Sequence, residues 1–142
     1  YTGQTVVEAP LNALEKEISA KDKGIINKKL SINFVPGSAE MAQGSEYMLD
    51  ALGQTLVSFG ATYLQIEGNT DSMGARAYNL ELSKKRAEAV KRYLMKSFSL
   101  PENRFRAVGL GPDNPVASNK TEAGRQLNRR TDIKVIVAAE RE

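Results

Sequence analysis

Two ionisable residues of opposite sign are placed where they can act together. Asp71 lies in the polar loop Gly68-Asn69-Thr70-Asp71-Ser72-Met73-Gly74, and Arg86 lies further on in a long amphipathic run. On a helix, steps of three or four residues stay on one face. Asn79, Leu82, Ser83, Arg86, Val90 and Tyr93 therefore share a face. Arg86 sits on the rim of the apolar side, and Glu81, Lys84, Lys85, Glu88 and Lys91 belong to the solvated side. A charge withdrawn from water without a partner costs several kcal/mol. Asp71, at the N-terminal end of the same face, is the nearest candidate partner. Two readings follow. Asp71 and Arg86 form an internal salt bridge that pins the loop, or they divide one zwitterionic ligand between them. In the second, Asp71 takes an ammonium and Arg86 clamps a carboxylate through two parallel hydrogen bonds. Thr70 and Asn79 add neutral hydrogen bonds. A D-amino-acid centre carries both groups.

Catalysis finds little support. The chain contains no histidine and no cysteine, which removes Ser-His-Asp and Cys-His chemistry, thiolate metal sites and disulfides. Ser83 and Lys84 are sequence neighbours and point about 100° apart on a helix, so they do not form a dyad. Gly109-Leu110-Gly111 is followed by Pro112, which makes it a turn and not a nucleotide loop. No cofactor is implied. Twenty basic residues are offset by seventeen acidic ones, for a net charge of +3. The signs are interspersed, unlike the basic stripe of a nucleic-acid binder. No apolar run approaches the roughly 20 residues of a membrane-spanning helix. The first residue is Tyr1 rather than Met, and the chain reads as an excised piece of a longer protein.

The elements that position the pair follow from periodicity. Leu30-Ser31-Ile32-Asn33-Phe34 alternates as a half-buried strand, ended by Pro36-Gly37-Ser38. Ser45 is the expected N-cap of a helix whose stripe is Met48, Leu49, Leu52, Leu56 and Phe59, with Gly60 as its stop. Tyr63–Glu67 is a second alternating strand, and the helix carrying Arg86 runs from about Ala77 to Ser97. Phe105–Val108 is a third strand. Asn119 with Glu122 is the expected cap of a short helix ending near Leu127. Ile133, Val135 and Val137 mark a fourth strand. The expectation is one α/β domain (an α+β sandwich) over residues 30–142 with the order β-α-β-α-β-(short α)-β. Its two main helices pack on one face of a mixed four-stranded sheet. Residues 1–29 read as a linker or N-terminal extension, with a short helix around Leu11, Leu14 and Ile18.

Residues 66–94, IEGNTDSMGARAYNLELSKKRAEAVKRYL, resemble the OmpA/MotB signature GHTDxxGxxxxNxxLSxxRAxxVxxYL. INFVPGSAEM is similar to the family's first strand and turn. VGLGPDNPVASNKTEAGRQLNRRTDIKV is similar to its closing segment. The resemblance spans roughly residues 30–137 and implies non-catalytic binding of peptidoglycan. The implied ligand is the diaminopimelate of the stem peptide. The implied location is the periplasm, in the cell envelope, associated with the outer membrane or fused to a periplasmic domain. The implied gripping residues are Asp71 and Arg86, with Thr70, Asn79 and Leu82 beside the bound group. Arg129, the first Arg of Asn128-Arg129-Arg130, lies near the same cleft in the family. It is either a ligand contact or a structural bridge to an acidic residue. The alternative function is an OmpA-like fold kept as a structural or protein-interaction domain, with Asp71–Arg86 as an internal salt bridge. Two departures stand out. Asn69 replaces the usual His, and Asn tolerates a left-handed loop conformation. Val35-Pro36 replaces an acidic turn, leaving the backbone N–H groups of Gly37 and Ser38 as donors on that side.

Overall fold

The computed structural model describes residues 24–137, with side chains described for residues 30–136. Four strands form one mixed sheet: β1 Gly24–Asn33, β2 Thr62–Gly68, β3 Phe105–Gly109 and β4 Arg130–Val137, in the order β1-β4-β2-β3. The helices are α1 Ser45–Ser58, α2 Arg76–Phe98 and the short α3 Glu122–Asn128. A 3-10 turn spans Glu102–Arg104. β4 lies antiparallel to both β1 and β2, and β2 runs parallel to β3. The expected element order and mixed sheet are therefore present. β1 starts earlier than its apolar pattern, at Gly24, and its pairing with β4 is irregular between Ile26 and Lys29. That irregularity interrupts the alternation on which the sequence reading depends. The helix expected around Leu11–Ile18 lies outside the described residues.

The core is where the two periodicities meet. Along β2, Leu64 and Ile66 point inward while Tyr63, Gln65 and Glu67 point outward. Leu64 pairs with Val135 and Ile66 with Ile133, so β2 and β4 present one continuous apolar face. Leu49, Leu52 and Leu56 of α1 and Ala87, Val90 and Leu94 of α2 close over that face together with Ile32 and Phe34. Fully burying each of the larger side chains contributes about 1.5–3 kcal/mol. Met48, expected in the stripe, is exposed, and Phe59 packs only at its edge.

α2 approaches the sheet unusually closely. A Cβ added at Gly68 would stand 1.8 Å from the Ser83 carbonyl oxygen, and one at Gly109 would stand 2.6 Å from the Lys84 nitrogen. Neighbouring strands ending in glycine let the helix backbone settle directly on the sheet. This fixes where Arg86, one turn further along α2, meets the loops above.

Both expected caps are corrected. Ser45 is already helical. Gly44 precedes it at φ 92°, and the Ser45 hydroxyl donates to the Ala42 carbonyl instead of accepting from the helix. α3 is capped by Thr121, whose hydroxyl accepts from the Gly124 N–H. Asn119 is spent elsewhere, because its Oδ1 accepts from the Ser72 N–H and from Asn128 Nδ2.

Candidate functional site

The loop Gly68–Gly74 leaves β2 at its C-terminal end and enters α2, the sheet edge at which α/β folds commonly bind ligands. Its shape is set by its own polar groups. Asp71 Oδ1 accepts from the Met73 N–H at 3.0 Å, and the Thr70 hydroxyl donates to the Asp71 carbonyl at 2.7 Å. Gly74 takes φ 89°, which a side chain would resist. Asn79, in the first turns of α2, donates from Nδ2 to the Met73 carbonyl and ties the helix back to the loop. Ala75, the residue capping α2, provides no side-chain acceptor.

A cleft of about 150 Å³ opens beside this loop, lined by Gly37, Thr70, Asp71, Met73, Tyr78, Asn79, Leu82, Arg86 and Arg129. All six residues singled out from the sequence therefore line one cavity. Two others were missed. Met73 and Tyr78 form an exposed apolar rim (59% and 55% exposed). Tyr78 carries no helical-face signal, because it lies about 100° from Asn79. Gly37, expected on this side through its backbone N–H, arrives from the β1–α1 loop.

Arg86 and Asp71 do not form the salt bridge that one sequence reading required. Arg86 is 0% exposed and stacks 5.3 Å from the Phe34 ring centre. Its Nε donates to the Ser38 carbonyl at 2.8 Å, Nη1 to the Asn69 carbonyl at 3.0 Å and Nη2 to the Val35 carbonyl at 3.2 Å. Three of its five N–H groups thus hold two loops together. The other two have no acceptor among the described residues. Burial pushes the Arg86 pKa down to about 10; nearby Asp71 opposes the shift and Arg129 reinforces it. The side chain is a cation at neutral pH, neutralised by no direct carboxylate contact.

Asp71 is paired instead with Arg129, Oδ2 to Nη1 at 2.9 Å. Arg129 also reaches Glu122 at 2.6 Å through Nη2. Its Nε is buried without an acceptor among the described residues. Burial lowers the Arg129 pKa, and Glu122 with Asp71 outweighs it, so the net shift is upward. Arg129 is therefore both a bridge to acidic groups and part of the cleft wall. The Asp71 side chain keeps 14% exposure, and a carboxylate has lone pairs beyond the two used here.

The departures from the family pattern are also located. Asn69 does not adopt a left-handed conformation; Ser99 is the only non-glycine residue with positive φ among the described residues. Its N–H pairs with the Arg130 carbonyl and its Nδ2 with the Glu67 carbonyl. On the Val35-Pro36 side, the Ser38 N–H is already given to the Val35 carbonyl. Ser83 is fully buried, donating to the Leu80 carbonyl and accepting from the Gly111 N–H. It braces a loop. No cluster of metal-ligating side chains occurs among the described residues.

The family model described as "OmpA family" matches residues 33–129. The chain belongs to the OmpA family. Among its OmpA-family relatives, outer membrane porin F of Pseudomonas fluorescens is 36% identical over 116 residues, covering 82% of this chain and 35% of that protein. Outer membrane protein A of Bordetella avium is 43% identical over 89 residues, 63% of this chain and 45% of that protein. The chain thus spans less than half the length of these relatives. The crystal structure of the peptidoglycan-associated lipoprotein from Burkholderia pseudomallei superposes with a TM-score of 0.70 at 36% identity, covering 74% of this chain and 88% of that one. The cell wall anchor of the T6SS from Pseudomonas aeruginosa, 24% identical with a TM-score of 0.66, shares the fold. In this OmpA-family domain the cleft lies within the matched segment, from Gly37 to Arg129.

Proposed function

We propose that the domain binds peptidoglycan without catalysis and anchors its parent protein to the cell wall, through the diaminopimelate of the stem peptide. The periplasmic side of the cell envelope is the corresponding location, and the similarity to a peptidoglycan-associated lipoprotein supports it. The observation that carries the reading is the charge layout of one small cleft. A partly accessible carboxylate, Asp71, stands with two buried guanidiniums, Arg86 and Arg129, around about 150 Å³. An ammonium finds Asp71 and a carboxylate finds the guanidinium side, so a single amino-acid centre satisfies both. Its aliphatic stem leaves past Leu82, Met73 and Tyr78. Asp71 pairs with Arg129 and not with Arg86, so the structural alternative does not rest on an Asp71–Arg86 bridge.

The test is co-sedimentation with purified sacculi, paired with NMR titration by a diaminopimelate-containing muropeptide. Shifts concentrated at Thr70–Asn79 and Arg129 are expected, and Asp71→Asn should lose sedimentation. A folded wild-type domain that stays in the supernatant and shows no shifts there would rule the reading out.

A further inference from the structure

The charge count of the cleft singles out a residue outside it. The lining carries two cations, Arg86 and Arg129, and one anion, Asp71. Left alone, that lining has a surplus positive charge and would take a plain carboxylate as readily as a zwitterion. Glu122 is not part of the lining. It reaches Arg129 Nη2 at 2.6 Å from the start of α3 while its side chain stays 62% exposed. Its other oxygen accepts from Arg125 Nε at 3.2 Å, and Arg125 also donates to the Asn119 carbonyl. The Arg129 fork is thus shared between a half-buried carboxylate facing the cleft and an exposed one behind it. Its Nε is buried and has no acceptor among the described residues.

We infer that Glu122 is a selectivity residue: shared between Arg129 and Arg125, it offsets part of the Arg129 charge from outside, lowers the surplus positive charge of the cleft and makes it favour a ligand carrying both an ammonium and a carboxylate over a simple anion. The inference rests on the zwitterion reading of the cleft proposed above. Glu122 acts through Arg129 and is a positioning residue, not a ligand contact. Its effect is moderated by exposure, because solvent screens an ion pair of this kind, and the change in relative affinity is small, roughly twofold to fivefold.

The experiment compares two probes on the whole chain by NMR titration: meso-diaminopimelate, and pimelate, which has the same carbon skeleton and carboxylates but no amino groups. Glu122→Gln should improve pimelate binding relative to diaminopimelate by about twofold to fivefold. Glu122→Asp, which keeps the charge, should hold the wild-type ratio. Thermal melts confirm that both variants fold. A structural role alone would weaken both ligands together and leave the ratio fixed. If the wild type binds diaminopimelate and Glu122→Gln leaves the ratio unchanged, the role of Glu122 is overturned while the function stands. If the wild type binds neither probe nor muropeptide, the reading of the cleft fails and this inference fails with it.

Discussion

At the scale of residues, Arg86 and Asp71 have different duties despite sharing a cleft. Arg86 is a staple as well as a charge. Truncating it to Ala would orphan the Ser38 and Asn69 carbonyls and open a cavity, so Arg86→Ala should lower unfolding free energy by about 3 kcal/mol in a denaturant titration. It should abolish sacculus binding as well. Asp71→Asn separates the two effects. Arg129 retains Glu122 and the Asn side chain still offers a hydrogen-bond acceptor, so the loss of stability should stay at about 1–3 kcal/mol while binding disappears. The Arg86 pKa of about 10 gives a pH test. Its folded value lies below that of a free guanidinium, so between the two the native state holds fewer protons than the unfolded one. The Arg86 contribution to stability therefore rises with pH through that window. Binding moves the opposite way. Affinity for a carboxylate ligand should persist to about pH 9 and fall as pH passes 10, measured by titration at fixed ionic strength.

At the scale of elements, the cleft depends on how close α2 lies to the sheet. Gly68 and Gly109 allow that approach, and the obstacle at Gly68 is backbone, not a side chain that can turn away. Gly68→Ala should force α2 off β2, costing several kcal/mol in thermal unfolding and displacing Arg86 from the carbonyls of Val35, Ser38 and Asn69. Binding should be lost with stability in this variant, unlike Asp71→Asn. The far end of the fold has its own brace. Arg104 donates to the carbonyls of Leu56, Phe59 and Thr62, satisfying the end of α1. Arg104→Ala should destabilise the domain by about 2 kcal/mol without changing the affinity of the remaining folded protein. Calorimetry and titration on the same sample check both halves.

At the scale of the whole molecule, the proposed capture of one amino-acid centre would bury little area, so a single site should bind modestly. Peptidoglycan repeats its stem peptides, and a parent protein carrying several such domains gains by avidity. Much of the layout is legible along the chain. Alternation in Tyr63–Glu67 and Ile133–Val137, the Leu49-Leu52-Leu56 stripe and the loop-to-helix run through Arg86 specify strands, helices and the cleft's location, because each reports a local period of exposure. They also bring Asp71, Thr70, Asn79, Leu82 and Arg86 together, since these share one loop and one helix face. The partner of Asp71 is a different matter. Arg129 and Glu122 come from the far end of the chain, and Arg129, immediately before β4, reaches the cleft only because β4 inserts between β1 and β2. Arg86 likewise meets carbonyls, not a carboxylate, because glycines at 68 and 109 let α2 sink beneath two loops. Periodicity determines which face a side chain takes; which distant group waits there is decided by strand order and helix depth, which only tertiary packing sets.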